Sequence, residues 1–266
     1  MILLDLLLEG KTVIVTGASK GLGKAIALEY ARENAHVYIS SRTEQTLKDA
    51  VDEMKVERNN PNIHYRVCDM KKKKEIKQLT EYVIQKEGTV DVLINNAGGP
   101  PAGGFMDMTE EDWYHAFEQN LLSVVRMTKE VIPTMKEKKS GRIVNITSSS
   151  IKQSIDQLIL SNTMRPGVLG LTKSLAQEFA VDNILVNTVG PGMIETSRTI
   201  ELNRAWANER GAKVEDLIRQ ATNTIPMKRY GQPEEFAQAV LFLGSFANTY
   251  VTGQSLIVDG ALVKAL

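Results

Sequence analysis

A chain of 266 residues is long enough for one large α/β domain, and its hydrophobic fraction of 42% and charged fraction of 24% are ordinary for a globular protein. The 32 basic residues balance 32 acidic ones, which excludes the net positive charge typical of proteins that bind nucleic acid or an anionic membrane. A single cysteine excludes an internal disulfide and favours a reducing compartment, so we expect a cytoplasmic protein.

The apolar stretch from Ile2 to Leu8 at the N-terminus is interrupted by Asp5 and has no basic flank. A bilayer span takes about 20 residues, and a signal peptide begins with a positive region. We therefore expect this stretch to pack on the edge of a sheet, and we predict neither a membrane segment nor a metal site.

Short β-branched runs alternate with helix-length segments along the whole chain. The predicted strands are Thr12–Thr16, His36–Ser40, Ile63–Cys68, Val90–Asn95, Arg142–Thr147, Ile184–Val189 and Ser255–Val258. The predicted helices are Gly21–Glu33, Glu44–Val56, Glu75–Glu87, Glu110–Glu137, Val168–Ala180 and Glu234–Phe246. This order is typical of a parallel sheet with helices on both faces. We predict a single α/β domain over residues 1–266, a doubly wound Rossmann fold with seven parallel strands.

The first strand ends in a glycine-rich turn, Thr16-Gly17-Ala18-Ser19-Lys20-Gly21-Leu22-Gly23, which leads directly into a helix. Such glycines let the backbone approach a pyrophosphate, while the helix N-terminus offers free N–H groups and partial positive charge. Glycines alone are a weak signal, but the strand before them and the helix after them are the context that this motif requires. The turn therefore predicts a dinucleotide site.

The end of the second strand indicates which dinucleotide to expect. A carboxylate there would bind the adenosine ribose of NAD and repel a 2′-phosphate, but the chain has Ser41, followed by Arg42. Lys20 in the glycine-rich turn can reach the same phosphate, and cations bind a dianion through charge-assisted hydrogen bonds. We predict NADP(H) in preference to NAD(H). The alternative is that Lys20 and Arg42 are ordinary surface charges.

Further motifs follow in order along nearly the whole chain. They are Asp69 and Met70 after the third strand, Asn95-Asn96-Ala97-Gly98, Asn120, Gly141 to Ser148, Pro191-Gly192-Met193-Ile194-Glu195-Thr196, Gly231 to Glu235, Tyr250 to Gln254 and Val258-Asp259-Gly260. Together with the glycine-rich turn, they make the chain similar to the short-chain dehydrogenase/reductase family, near its 3-oxoacyl-[acyl-carrier-protein] reductase-like members.

The resemblance implies a role for each matching residue. Asp69 would contact the adenine amino group, the segment from Pro191 to Thr196 would hold the nicotinamide carboxamide, and Asn120 and Ser148 would belong to the catalytic group. A homodimer or homotetramer, packed through the long helices before and after Ser148, is also implied. The residues predicted to contact the cofactor are Gly17, Ser19, Lys20, Gly21, Leu22, Gly23, Ser41, Arg42, Asp69, Met70, Asn96, Ala97, Gly98, Arg165, Pro191, Gly192, Ile194 and Thr196.

The resemblance fails at the family's proton donor, a tyrosine four residues before a lysine on one helical face. Counting forward from Ser148 places Ser161 and Arg165 at these positions. A serine hydroxyl is a far weaker acid than a phenol. Arginine keeps its proton at any working pH, so Arg165 can bind ribose hydroxyls or an anion, or stabilise an alkoxide, but cannot relay a proton. The predicted catalytic set is Asn120, Ser148, Ser161 and Arg165.

Two further features bear on this site. Pro166 would cost about 3 kcal/mol inside a helix and is tolerated in a first turn, so we expect the helix to begin near Ser161–Thr163, with free N–H groups that favour an anionic ligand. The long strandless segment after Val189 begins where ligands bind in such sheets. We predict a helical lid over residues 193–230. The alternative is a helical insertion on the surface.

The sequence is compatible with two functions. The first is an NAD(P)(H)-dependent oxidoreductase acting on a carbonyl or alcohol, with an atypical proton source such as water held by Ser148, Asn120 and Ser161. The alternative is an NADP(H)-binding protein without catalysis, which would act as a sensor or partner subunit. We expect a small-molecule substrate and no nucleic acid, with Lys71–Lys74 interpreted as the solvated start of a helix and a phosphate-contacting patch as its alternative.

Overall fold

Seven short, buried strands form one parallel sheet. The computed structural model describes residues 5–58 and 60–265, apart from the side chains at positions 58, 198, 202, 205, 206, 209 and 210. The strands are β1 (Thr12–Thr16), β2 (His36–Ser41), β3 (Ile63–Val67), β4 (Val92–Asn95), β5 (Gly141–Ile146), β6 (Ile184–Pro191) and β7 (Ser255–Val258). Their boundaries agree with the predicted strands to within two residues.

Helices connect successive strands and cover both faces of the sheet. They are α1 (Gly21–Arg32), α2 (Glu44–Arg58), α3 (Lys73–Glu87), α4 (Glu110–Phe117), α5 (Ser123–Lys138), α6 (Ile159–Phe179), α7 (Ser197–Arg210), α8 (Val214–Thr224) and α9 (Pro233–Leu243). One turn of π-helix, Glu118–Leu122, joins α4 to α5 within the segment that we predicted as one helix.

The strand order is β3-β2-β1-β4-β5-β6-β7, and each neighbouring pair is parallel. Alternate residues of β1 face opposite layers: Val13 and Val15 pack toward α1, α2 and α9, and Ile14 packs toward α3, α5 and α6. The predicted doubly wound Rossmann fold is confirmed. Because the chain reverses direction across the sheet between β1 and β4, a crevice opens there at the carboxyl ends of the strands.

Leu6 and Leu8 of the N-terminal stretch pack against the core layer that contains α1 and α9. Leu8 is buried in the core with Leu6 packed against it, and the backbone N–H of Phe246 donates to the carbonyl of Leu6 at 3.1 Å. The prediction for residues 2–4 lies outside the described residues. Within the described part of the chain, no helix has the length and apolar character needed to cross a bilayer.

The prediction for the start of α6 is wrong. The helix begins at Ile159 and continues through Pro166, which therefore lies inside it and not in its first turn. Because proline has no N–H, the helix loses one backbone hydrogen bond there, to the carbonyl of Asn162. The start of α6 is fixed instead by the side chain of Asn162, which bonds the backbone N–H and carbonyl of Ile155 at 3.1 and 2.8 Å.

A polar cluster joins β2 and β3 to the end of α3. The carboxylate of Glu87 accepts a hydrogen bond from the Tyr38 hydroxyl and lies 2.9 Å from Nδ1 of His36. Burial by itself would raise the pKa of Glu87, but the hydrogen bonds from Tyr38 and His36 outweigh it and lower that pKa. Burial, reinforced by the nearby charge of Lys86, lowers the pKa of His64.

Both pKa shifts make folding weaker in acid. A carboxyl group with a lowered pKa loses its stabilisation as the pH falls through its folded pKa, and a histidine with a lowered pKa binds protons more readily when unfolded, below about pH 6.5. We expect the free energy of unfolding, measured by urea denaturation, to fall between pH 7 and pH 5 because of His64, and to fall further below about pH 4.5 because of Glu87. His64→Gln should reduce the fall between pH 7 and pH 5, whereas His115→Gln, at a half-exposed site on α4, should leave it unchanged. An identical fall in His64→Gln and the unaltered protein would contradict the prediction.

Candidate functional site

A cleft of about 490 Å³ opens at the carboxyl ends of the strands. The loops after β1, β2, β3, β4, β5 and β6 form its walls, together with the start of α7 and one residue of α6. All the residues that we predicted to contact the cofactor, from Gly17 to Thr196, line this one cleft. Gln119, Thr199 and Glu201 also line it and were missed by the sequence analysis, since no motif marks them.

The glycine-rich turn, residues 17–23, forms a cradle that lines the cleft and packs tightly against the loop after β4. Gly17 has a positive φ of 58°, and a Cβ atom there would lie 2.7 Å from the backbone oxygen of Asn96. A Cβ on Gly23 would collide with the backbone oxygen of Gly17. The side-chain amide of Asn96 holds the turn in place by donating to the carbonyls of Thr16 and Gly17 at 3.1 and 3.0 Å. Only glycine fits at these two positions, so the turn stays tight and its backbone lines the cleft.

The N-terminus of α1 points free N–H groups into this cradle. Lys20 occupies the N-cap position, and its side chain makes no capping hydrogen bond. The first N–H groups of a helix have no partner inside the helix and carry partial positive charge. An anion such as a pyrophosphate satisfies them, so the cradle fits the group that the sequence predicted.

The end of β2 offers a second anion site beside the first. The Ser41 hydroxyl is buried and has no hydrogen-bond partner among the described residues, and Arg42 follows it with an exposed side chain. Across the cleft, Nζ of Lys20 lies 4.0 Å from the carboxylate of Glu201 on α7. One unsatisfied hydroxyl and two cations thus line the same cleft at the ends of β1 and β2.

Arg165 brings a buried positive charge to the inner end of the cleft. Its side chain lines the cleft from α6, and the residue is 8% exposed. Nη1 donates to the carbonyl of Ile146 at the end of β5 at 3.0 Å, while Nε has no partner among the described residues. Burial lowers the pKa of Arg165 to about 10, which leaves the guanidinium protonated at neutral pH.

The other three predicted catalytic residues are not part of the cleft wall that the described residues form. Asn120 lies on the π-helical turn, where its Nδ2 donates to the carbonyl of Gly98 at 2.9 Å and its buried Oδ1 has no partner among the described residues. The Ser148 hydroxyl accepts from the backbone N–H of Ser150 at 3.1 Å. The Ser161 hydroxyl lies 3.3 Å from that of Ser150, a residue that our predicted set omits.

A family model described as "Enoyl-(Acyl carrier protein) reductase" matches residues 17–262. The chain is 38% identical over 257 residues to the 3-oxoacyl-[acyl-carrier-protein] reductase FabG of Thermotoga maritima, with 96% of this chain and 99% of that relative covered. The chain belongs to the short-chain dehydrogenase/reductase family. The resemblance inferred from its motifs is thereby confirmed.

Solved structures of two reductases superpose closely on this one. A variant of the actinorhodin polyketide ketoreductase with NADPH is 34% identical, with a TM-score of 0.91 and coverage of 95% of this chain and 97% of that chain. The L-sorbose reductase of Gluconobacter frateurii, complexed with NADPH and L-sorbose, is 28% identical, with a TM-score of 0.94 and coverage of 99% and 100%.

In this short-chain dehydrogenase/reductase, two helices fill the segment after β6. Thr196 caps α7 by accepting a hydrogen bond from the backbone N–H of Thr199, whose own hydroxyl donates to the carbonyl of Ile194 at 2.6 Å. A Cβ on Gly21 would lie 3.8 Å from Thr196, so the start of α7 faces the glycine-rich turn directly. The segment that we predicted as a lid thus borders the cleft at its first turn.

Proposed function

We propose that this protein is an NADP(H)-dependent oxidoreductase that acts on a carbonyl or alcohol group of a small molecule, with an atypical proton source. The observation that carries the proposal is a glycine cradle and a two-cation site sharing one cleft with a buried, protonated Arg165. Hydride transfer to a carbonyl leaves negative charge on oxygen, and a fixed cation in a water-poor site stabilises such charge.

Different residues of the cleft would bind different groups of the cofactor. The N–H groups at the start of α1 would bind the pyrophosphate, and Ser41, Arg42 and Lys20 would bind the 2′-phosphate. Asp69 would contact the adenine, and the segment from Pro191 to Thr196 would hold the carboxamide. NADPH, when bound, supplies the hydride.

The proton must come from water in this proposal. Arg165 keeps its proton, and a serine hydroxyl is too weak an acid to give one up directly. The hydroxyls of Ser150 and Ser161 form a pair close to Ser148, and with the unsatisfied Oδ1 of Asn120 they provide acceptors and donors for a water molecule. That water would protonate the carbonyl oxygen, and the resulting hydroxide would recover a proton from solvent.

One observation favours the second candidate, an NADP(H)-binding sensor or partner subunit. Asn120, Ser148 and Ser161 stand outside the described cleft wall, so no hydroxyl from the predicted catalytic set lines it. The two functions separate in a single experiment. The oxidoreductase consumes NADPH when a panel of ketones, aldehydes and oxo acids is supplied, whereas the sensor binds NADPH and consumes none.

The cofactor preference follows from Ser41, Arg42 and Lys20. We expect NADPH to bind at least about tenfold more tightly than NADH, which corresponds to about 1.4 kcal/mol. Arg42→Ala should remove most of this difference by weakening NADPH and sparing NADH. Lys48→Ala, which removes an exposed charge on α2, serves as the matched control. Fluorescence titration measures all six affinities, and equal binding of the two cofactors by the unaltered protein would contradict the assignment.

The predicted lid can be tested directly by hydrogen exchange. If the segment from Thr196 to Thr224 closes over bound cofactor, its backbone amides should exchange faster with deuterium in the free protein than with NADPH. The amides of α9, which lies on the outer layer of the sheet, should exchange equally in both states. Full protection of the segment without cofactor would favour a surface insertion.

A further inference from the structure

Two buried arginines of this protein differ in how their charge is satisfied. Arg142, which is 2% exposed, donates from Nε, Nη1 and Nη2 to the backbone carbonyls of Ser245, Gly141, Asn183 and Asn248. Arg165 makes one such bond, to Ile146. A guanidinium has five N–H donors. Arg142 therefore has the bonding of a structural arginine, and Arg165 does not.

The side chains that the structure describes supply no counter-charge to Arg165. Among the described residues, no carboxylate lies within 4.0 Å of its guanidinium, although ion pairs are formed elsewhere, as between Lys24 and Glu53. A buried charge without a partner costs free energy, because it loses its interactions with water and gains none with the protein in exchange. Such a cost is expected where a ligand completes the pairing, and Arg165 lines the one wall of the cleft that α6 provides.

The phosphates of the cofactor are held elsewhere in the same cleft. The glycine cradle and the start of α1 take the pyrophosphate, and Arg42 and Lys20 take the 2′-phosphate, at the ends of β1 and β2. Arg165 is tied to the end of β5, on the other side of the switch between β1 and β4. A ribose hydroxyl of the cofactor could accept a hydrogen bond from Arg165 but carries no charge, so the positive charge is left for the second ligand of the cleft.

We propose that Arg165 is an anion site for the substrate, and that the substrate is an oxo acid whose carboxylate lies next to the carbonyl that is reduced. The planar guanidinium can donate to a carboxylate oxygen and to the neighbouring carbonyl oxygen at once, because both lie in one plane and on one side in a 2-oxo acid. This inference rests on the proposed function for the reaction, but the anion site itself does not depend on turnover.

The test uses binding of an unreactive probe to the full chain saturated with NADPH. Oxamate carries the carboxylate of a 2-oxo acid with an amide in place of the ketone, and oxamide is its neutral counterpart. By isothermal titration calorimetry we expect oxamate to bind at least about tenfold more tightly than oxamide, since one charge-assisted pair is worth about that much or more. Arg165→Leu should abolish the difference. Lys152→Ala, which removes an exposed cation close in sequence to the site, should preserve it.

Each outcome decides the proposal. Arg165→Lys keeps a charge and should retain part of the preference, which covers the case in which Arg165→Leu fails to fold. Equal binding of oxamate and oxamide to the unaltered protein, or an unchanged oxamate affinity in Arg165→Leu, would overturn the anion site. Oxamate binding through Arg165 without reduction of any 2-oxo acid would support the anion site and overturn the proposed oxidoreductase.

Discussion

Arg165→Ala is expected to lower kcat for carbonyl reduction on the order of 10²-fold, because it removes the preorganised cation that faces the developing negative charge. Ser161→Ala should cost about tenfold or less. The Ser161 hydroxyl lies within hydrogen-bonding distance of the Ser150 hydroxyl and can only position water. The contrast between the two variants is the informative quantity, because both lie on α6 four residues apart and perturb the same element.

Steady-state rates with NADPH and the substrate found by screening check this prediction. Arg165→Lys should recover only part of the loss, since an ammonium group is a point charge and cannot donate as a planar fork. Arg142→Lys is not a suitable control. The Arg142 guanidinium donates hydrogen bonds to four backbone carbonyls and so stabilises the end of the sheet. Thr163→Ala, an exposed position on α6, is the matched control. Undiminished turnover in Arg165→Ala would refute the electrostatic role.

Gly244→Ala is expected to destabilise the fold by about 1–3 kcal/mol, the usual cost of overpacking a core. A Cβ at this position, just after α9, would collide with the hydroxyl oxygen of Tyr30 on α1 and approach Val144 of β5 to 3.3 Å. Tyr30 is fully buried, and its hydroxyl has no hydrogen-bond partner among the described residues. The clash therefore falls on a buried hydroxyl that no hydrogen bond among the described residues stabilises.

A second substitution makes the prediction specific. Tyr30→Phe removes the clashing oxygen together with a buried unsatisfied group, so by itself it should be neutral or stabilising by about 1 kcal/mol. In the Gly244→Ala background it should restore more stability than it gives alone, which is a coupling between the two sites. Urea denaturation of the four proteins gives this coupling. Strictly additive effects would show that the steric conflict is relieved in some other way.

Much of the fold was predictable because its signals are local. Short, fully apolar strands separated by helix-length segments indicate a parallel sheet wherever they occur, and the glycine-rich turn needs no distant partner to be recognised. For the same reason, the residues that line the cleft from loops at strand ends were identified correctly as neighbours. Parallel strands bring their carboxyl ends to one edge regardless of the loops between them.

The predictions were weakest where tertiary packing overrides local preference. Pro166 was expected to mark a helix start, but the packing of α6 against the sheet outweighs one lost hydrogen bond, and the helix runs through it. The partner of Ser161 is Ser150, which depends on how the loop after β5 folds back. Glu201 reaches the cleft only because α7 begins at its edge. No spacing in the sequence indicates these three features.

The π-helical turn at Glu118–Leu122 indicates how this site could have arisen and how easily it could be lost. A π turn is an α-helix that has gained one residue, and each residue of a helix accounts for about 100° of rotation. Deleting a single codon within the turn would therefore merge α4 and α5 into one regular helix and rotate Asn120 by about that angle relative to α5, away from the carbonyl of Gly98. Because the turn differs from a regular helix by one residue, a one-residue insertion or deletion is enough to create or remove it.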